Sequence, residues 1–315
     1  MTSAGTPSSE AVPAGVSRPG GAGSLAGRTV SRVGYGAMQL ARLQDDRSAA
    51  VALVRQAIDL GVDHVDTAQF YGNGFVNDVL REALQGQDDV LIVSKVGATA
   101  DPDGPVPVRL AQRPEELRAE VETELATLQR EQIPVMNLRR VDGGHTGVPV
   151  PDDQVVDLDD QLAEMIALRE EGKIGAIGLS SVTLDVLRRG LPAGIVCVQN
   201  PYSLVSREDE DMAQFCADEK IAWVPYFPLG GAFPGRPKVT DEPAVLAAAE
   251  KLGCTPAQVG LAWLLHRSPN VLLIPGTTDA GHLEANLAAG AITLDDETLA
   301  ALDAIPTHPG ATPGH

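Results

Sequence analysis

The sequence predicts an α/β fold, a single (β/α)8 TIM barrel preceded by a disordered N-terminal tail. Three observations carry this expectation. From residue 28 onward, eight short β-branched or apolar runs alternate with longer segments whose apolar residues recur at helical spacing. Such alternation calls for a parallel sheet with helical crossovers, and eight repeats close that sheet on itself. The chain's 315 residues, 43% of them hydrophobic, suit one sizeable core. The rival architecture is an open doubly wound sheet, which needs a phosphate-binding glycine loop after its first strand. GYGAMQL at 34–40 offers two glycines and no helix start.

Residues 1–27 are rich in Ser, Gly, Pro and Ala and nearly lack large apolar side chains, so they are expected to form the tail, with the barrel spanning 28–315. Gly21, Gly23 and Ala26 fit a relaxed dinucleotide fingerprint. No predicted strand precedes them and Pro19 lies just upstream, so they carry no site. The strands are expected at 33–37 (VGYGA), 63–66 (DHVD), 90–95 (VLIVSK) and 133–138 (IPVMNL), then at 174–180 (IGAIGLS), 195–199 (IVCVQ), 221–226 (IAWVPY) and 271–275 (VLLIP). Helical spacing marks 48–60 through Val51, Leu53, Val54, Ala57 and Ile58, and 115–128 through Leu117, Val121, Leu125 and Leu128. It also marks 160–171, 182–189, 208–219, 256–267 and 281–288. Gly61 and Gly172 follow two of these segments as stop signals.

The 43 acidic against 24 basic residues give a net charge of −19, which repels a phosphate backbone or an anionic membrane. Neither nucleic acid nor membrane is therefore an expected partner. No apolar run is long enough to span a bilayer and no leader pattern opens the chain, so a cytoplasmic location is expected. Cys197, Cys216 and Cys254 are odd in number and widely spaced, which reads as free thiols with no metal site.

In such a barrel the reacting groups come from the carboxyl ends of different strands. Asp66 closes the second predicted strand, Tyr71 follows it by five residues, Lys95 closes the third, and Arg139 follows the fourth. A phenol is a poor acid at neutral pH, but a nearby cation stabilises its phenolate and lowers its pKa. Lys95 can supply that charge and Asp66 can pair with Lys95. Tyr71 is then placed to donate a proton to an oxygen becoming an alkoxide. Taken singly, a strand-end Asp or Lys is more often a cap or a solvated charge.

These residues sit in DTAQFYG and VSKVG, and the sequence at this point closely resembles the aldo-keto reductase superfamily. The resemblance covers roughly residues 29–305. It runs through VGYGAMQL, AIDLGVDHVDTAQFYGNG, LIVSKVG, GKIGAIGLSSV, VQNPYS, YFPLGG, AWLLHRSPNVLLIPGT and HLEANL. It implies an NAD(P)H-dependent carbonyl reductase acting on small-molecule carbonyls, with Asp66, Tyr71 and Lys95 catalytic. Ser180, Ser181 and Gln199 would bond the nicotinamide carboxamide, and Tyr226 would stack on its ring. Phe227, Leu229 and Gly230 would line the pyrophosphate path. Pro275, Gly276, Thr277 and Thr278 would bind the adenosine phosphate, with His282 and Asn286 near the adenine.

The chain departs from the family pattern in two places. Where the family usually ends the fourth strand with histidine, Arg139 stands. A guanidinium adds a permanent charge and several donors, which suits a developing oxyanion or an anionic substrate. The alternative is that Arg139 turns away to pair with Asp142 or another carboxylate; His145 is read as a loop residue. In the adenosine segment Gly276 and His282 stand where a lysine or arginine is common, and Ala285 where an acid is common. NADPH remains the expected cofactor, with NADH left open.

VGYGAMQLA, the NLR at 137–139, VQN and FPLGG most resemble bacterial pyridoxal reductases. Pyridoxal carries a ring hydroxyl ortho to its aldehyde, and its phenolate suits a cationic pocket. A reductase of secondary metabolism is the neighbouring reading, and a slow-turnover regulatory protein that keeps the cofactor pocket is the reading from another class. Substrate choice is expected on the Gly- and Pro-rich loops 97–113, 140–157 and 229–240. Phe70, Phe75, Tyr202 and Phe227 are candidate pocket walls.

Overall fold

The computed structural model describes residues 18–104, 106–142, 150–231 and 235–308. A hairpin of β1 (Ala22–Leu25) and β2 (Arg28–Ser31) comes first, followed by β3 (Tyr35–Gly36) and α1 (Arg47–Asp59). Next come β4 (His64–Asp66), α2 (Phe75–Ala83) and β5 (Leu91–Val96). A second hairpin, β6 (Ala98–Ala100) with β7 (Val108–Leu110), precedes α3 (Pro114–Leu128). Then follow β8 (Ile133–Arg139), α4 (Leu158–Glu170), β9 (Ile174–Ser180) and α5 (Leu184–Gly190). The chain continues through β10 (Ile195–Gln199), α6 (Glu210–Asp218) and β11 (Ala222–Trp223). It ends with α7 (Pro243–Leu252), α8 (Pro256–Arg267), α9 (Ala280–Ala288) and α10 (Asp296–Asp303).

Seven parallel strands pair in the order β11, β10, β9, β8, β5, β4, β3. Residues 271–274 complete the circle as an eighth strand, since Val271 bridges Trp223 and Leu273 bridges Val33, both parallel. Backbone bonds from Gly34 to the Leu273 carbonyl and from Leu272 to the Trp223 carbonyl hold this seam, at 2.8 and 2.9 Å. The expected (β/α)8 barrel is therefore closed.

Alternation decides what faces inward. Leu91, Val93, Val135, Cys197, Ala222, Val224, Leu272 and Ile274 pack into one inner cluster. Two residues further along the same faces stand Lys95 after Val93 and Gln199 after Cys197, while Arg139 lies four residues beyond Val135. The apolar plug and the polar mouth are thus successive layers of one set of strands. The opposite faces pack against the helices, where Leu117, Val121, Met136, Leu138, Ile177 and Trp263 join the larger outer core.

Helix ends follow the local chemistry. Asp46, Thr183, Thr255, Asp279 and Asp295 cap α1, α5, α8, α9 and α10 by accepting backbone bonds, and Thr255 completes a capping box with Gln258. Gly61 and Gly172, the two stop signals, adopt φ of +95 and +78.

The boundary expected at residue 28 is corrected, because residues 18–27 are ordered and belong to the barrel. Leu25 and Val30 are each 2% exposed and close the bottom of the inner cluster. Ser31 donates to the Asp63 carboxylate from both its amide and its hydroxyl, at 2.7 Å each, and Arg18 pairs with Asp63 at 3.2 Å. The glycines counted against order serve it. A Cβ on Gly23 would lie 2.6 Å from Leu272, so the hairpin seats only without one. Composition missed this because a single buried leucine, placed under a barrel, replaces the local core the segment lacks. Residues 1–17 and His145 lie outside the described residues.

Candidate active site

The strand ends bring the predicted residues to one mouth. Lys95 Nζ donates to Asp66 Oδ1 at 2.5 Å and to the Thr67 carbonyl at 2.9 Å. It lies 5.1 Å from the centre of the Tyr71 ring, close enough to act electrostatically on the phenol. Phe70 packs edge-on to Tyr71 at 5.0 Å and fixes the ring's tilt. Gln199 Nε2 donates to Asp66 Oδ2 at 2.7 Å, so both carboxylate oxygens are held.

Lys95 and Asp66 are almost fully buried, and burial alone opposes a charged amine. Asp66 and Tyr71 together outweigh burial and hold the Lys95 ammonium above its ordinary range. Tyr71 differs from the sequence expectation. Burial is the largest influence and pushes the phenol up; Lys95 and, more weakly, Arg139 pull it down without reversing the direction. The cations thus limit the rise instead of producing a low pKa. The phenol keeps its proton across the neutral range, as a donor to a developing alkoxide must.

Arg139 lies in register with Ser180, and Ser180 with Gln199, so β8, β9 and β10 end at one level. Burial lowers the Arg139 pKa, and among the described residues Tyr226 and Tyr71 act on it electrostatically. Its position at the end of β8 places it level with Ser180 and Gln199. Asp142 is engaged by the neighbouring Arg140, which also bonds Gln161.

Ser181 hydroxyl and Tyr226 hydroxyl lie 3.1 Å apart, and burial pushes the Tyr226 phenol up to about 12. Ser181 and Phe227 adopt φ of +57 and +53, left-handed positions unusual for residues with a Cβ. Phe227 packs edge-on to Tyr226 at 5.1 Å, and the Gly230 amide bonds the Phe227 carbonyl at 2.9 Å, folding Phe227, Leu229 and Gly230 into one turn.

Pro275, Gly276, Thr277 and Thr278 follow the eighth strand. The Tyr35 hydroxyl donates to the Thr277 carbonyl at 2.8 Å. A Cβ on Gly276 would lie 2.5 Å from the Gly36 carbonyl oxygen, and Gly36 is in register with Asp66, so this segment abuts the catalytic strand ends. On α9, Asn286 is buried, whereas the His282 side chain is 79% exposed and 3.9 Å from Asp279.

A nicotinamide fits these residues. Gln199 Oε1 is a buried acceptor with no hydrogen-bond partner among the described residues, set beside the Ser180 strand end. A carboxamide N–H is the kind of donor it lacks. Among the described residues no group of three His, Cys, Asp or Glu could hold a metal ion, and no helix is long and apolar enough to cross a membrane.

Several partners were missed in the sequence. Thr67 holds Lys95 through its carbonyl, and Asn200 ties two strand ends by bonding Val182 amide and carbonyl at 3.1 and 2.8 Å. Neither carries a local signal beyond its place next to Asp66 or Gln199. Tyr202, a candidate pocket wall, stacks on Trp263 in the outer core instead.

A barrel with a buried lysine and carboxylate against a phenol at its carboxyl mouth defines a class, the oxidoreductases of carbonyl and alcohol groups. The aldo/keto reductase family model matches residues 32–306, and the chain belongs to that family. It is 40% identical over 290 residues to pyridoxine 4-dehydrogenase of Escherichia coli K12, covering 90% of this chain and 97% of the relative. An uncharacterized oxidoreductase of Schizosaccharomyces pombe is 33% identical over 282 residues, 87% of this chain and 86% of the relative. An aldo-keto reductase of Klebsiella pneumoniae, solved in complex with NADPH, is 26% identical with a TM-score of 0.76, covering 93% of this chain and 98% of that one.

Proposed function

We propose that the chain reduces an aldehyde to an alcohol with NADPH, and that pyridoxal is a substrate. The observation that carries the reading is the Lys95 ammonium held 2.5 Å from Asp66 and beside the Tyr71 phenol. Tyr71 donates its proton to the carbonyl oxygen. Lys95 steadies the phenolate left behind, and Asp66 fixes Lys95 in place and in charge. When bound, NADPH supplies the hydride that reduces the carbonyl carbon.

Ser180, Ser181 and Gln199 orient the carboxamide, and the Tyr226 ring supports the nicotinamide. Phe227, Leu229 and Gly230 line the pyrophosphate path; Pro275, Gly276, Thr277, Thr278, His282 and Asn286 take the adenosine end. The run from Pro275 to Asn286 contains no lysine or arginine, so NADPH binding relies on hydroxyls and amides there and NADH use is less disfavoured.

Arg139 supports the choice of pyridoxal. Placed among Tyr71 and Tyr226, a guanidinium favours a substrate whose phenolate lies ortho to the reacting aldehyde. The similarity to a protein named pyridoxine 4-dehydrogenase points the same way. Arg139 also favours a second reading, a cofactor-binding regulatory protein of slow turnover, because it replaces a neutral donor with a fixed charge.

The test is purified protein mixed with NADPH and a panel of aldehydes including pyridoxal. Loss of nicotinamide absorbance, fastest with pyridoxal, is expected. Tight cofactor binding without turnover on any aldehyde would support the regulatory reading instead.

A further inference from the structure

Behind β5, on the face turned away from the mouth, a carboxyl group is walled in. Glu124 is fully buried and stands in the stripe Leu117, Val121, Glu124 and Leu128 by which α3 packs on the barrel. An unpaired polar group in an apolar stripe is destabilising, and this one is only half paired. Its Oε1 accepts from Ser94 Oγ at 2.5 Å and from Asn77 Nδ2 at 3.0 Å, while Oε2 has no hydrogen-bond partner among the described residues.

Both partners lead to the catalytic pair. Ser94 precedes Lys95 on β5. Asn77 Oδ1 accepts from Thr67 Oγ1 at 2.7 Å, and the Thr67 carbonyl in turn accepts from Lys95 Nζ at 2.9 Å. Thr67 follows Asp66 directly, so Glu124 reaches both members of the pair from behind the barrel wall.

We propose that Glu124 is a positioning residue for carbonyl reduction: through Ser94, Asn77 and Thr67, and through its own charge, it sets how fully Lys95 acts on Tyr71. The inference rests on the reductase reading above. Among the described residues, the charged groups around Glu124 are few. Lys95 and Asp66 lie across the wall, and Glu120 lies one turn back on α3. From α2 the facing group is the neutral Asn77; from the loop after β4 it is Gln69, which accepts from Asn77 at 2.7 Å and donates to Thr127 at 3.2 Å. Glu164 of α4 is taken up by Arg118 at 2.6 Å.

Burial pushes the Glu124 carboxyl up to about 7, against the bonds from Ser94 and Asn77 and the attraction of Lys95. The group therefore changes charge in the neutral range. Neutral, it leaves the Lys95 charge to the phenol. Ionised, it offsets part of that charge, and proton donation by Tyr71 slows.

Glu124→Gln keeps the size and one acceptor oxygen and removes the proton. The ratio of variant to wild-type kcat for pyridoxal reduction is expected near one at about pH 5.5 and about two- to fivefold above one at pH 8. Cofactor Kd, read by nicotinamide fluorescence, is expected unchanged at both. A ratio flat with pH, or a variant slow at every pH, overturns the proposal.

Infrared spectroscopy of the wild-type protein without cofactor provides the second readout. A buried protonated-carboxyl stretch is expected at low pH, to vanish as pH rises through neutrality and to be missing from the variant. Its absence at pH 5.5 overturns the proposal even if the variant does not fold. Failure of both proteins to reduce any aldehyde would count against the reductase reading, while the infrared titration still decides the state of Glu124.

Discussion

At the scale of single residues, the proposed reaction turns on two opposing influences on one phenol. Burial keeps Tyr71 protonated, and Lys95 keeps the loss of that proton within reach. Arg139 adds a charge whose consequence is selective. Arg139→His is expected to raise the KM for pyridoxal about tenfold, the loss of one charge-assisted contact, and to leave the KM of uncharged aldehydes nearly unchanged. Steady-state kinetics on both substrates checks it, and an equal effect on both would place Arg139 away from the substrate. Glu124 links the site to stability. Its carboxyl lies at about 7 when folded against an ordinary 4.5, so folding is fully supported below pH 4.5 and loses support as pH rises through 7. The loss is about 3 kcal/mol. Urea unfolding at pH 5 and pH 8 is expected to show that fall in the wild type and a smaller one in Glu124→Gln. Asp66, Lys95 and Arg139 were legible because strand-end polar residues stand out against apolar runs, and Tyr71 because it follows Asp66 in the motif DTAQFYG. Glu124 was not, because reading α3 by its apolar residues passes over a carboxyl in the same stripe. The bond from Gln199 to Asp66 spans 133 positions and has no local trace.

At the scale of elements, the barrel strands were legible from their runs, and the eighth is recognisable even though only single bridges hold it. The helices α2, α7 and α10 were not foreseen. The hairpin of β1 and β2 was misread because its order comes from partners far along the chain: Leu25 and Val30 pack into the inner cluster, and Ser31 and Arg18 bond Asp63. Leu25→Ala is therefore expected to destabilise the protein by about 2–5 kcal/mol, the cost of emptying a buried leucine site. Thermal unfolding checks this. A change within about 0.5 kcal/mol, as at an exposed position, would mean that the hairpin does not plug the barrel.

At the scale of the whole molecule, strand alternation joins stability to function. The same inward faces that stack Leu91, Val93, Val135 and Cys197 carry Lys95, Arg139 and Gln199 to the mouth, so the apolar layers set the precision of the polar one. The fold was legible because this alternation is written in each strand. Cofactor and substrate preference were less so, because they depend on groups converging from loops and helices far apart in sequence. The most direct measurement of the account takes cofactor affinity and turnover together in Tyr71→Phe, which retains the ring and removes the proton. Reduction of pyridoxal is expected to fall by about 10²–10⁴-fold while NADPH binds as tightly as before. A variant that turns over at the wild-type rate would mean that the alkoxide takes its proton from another group.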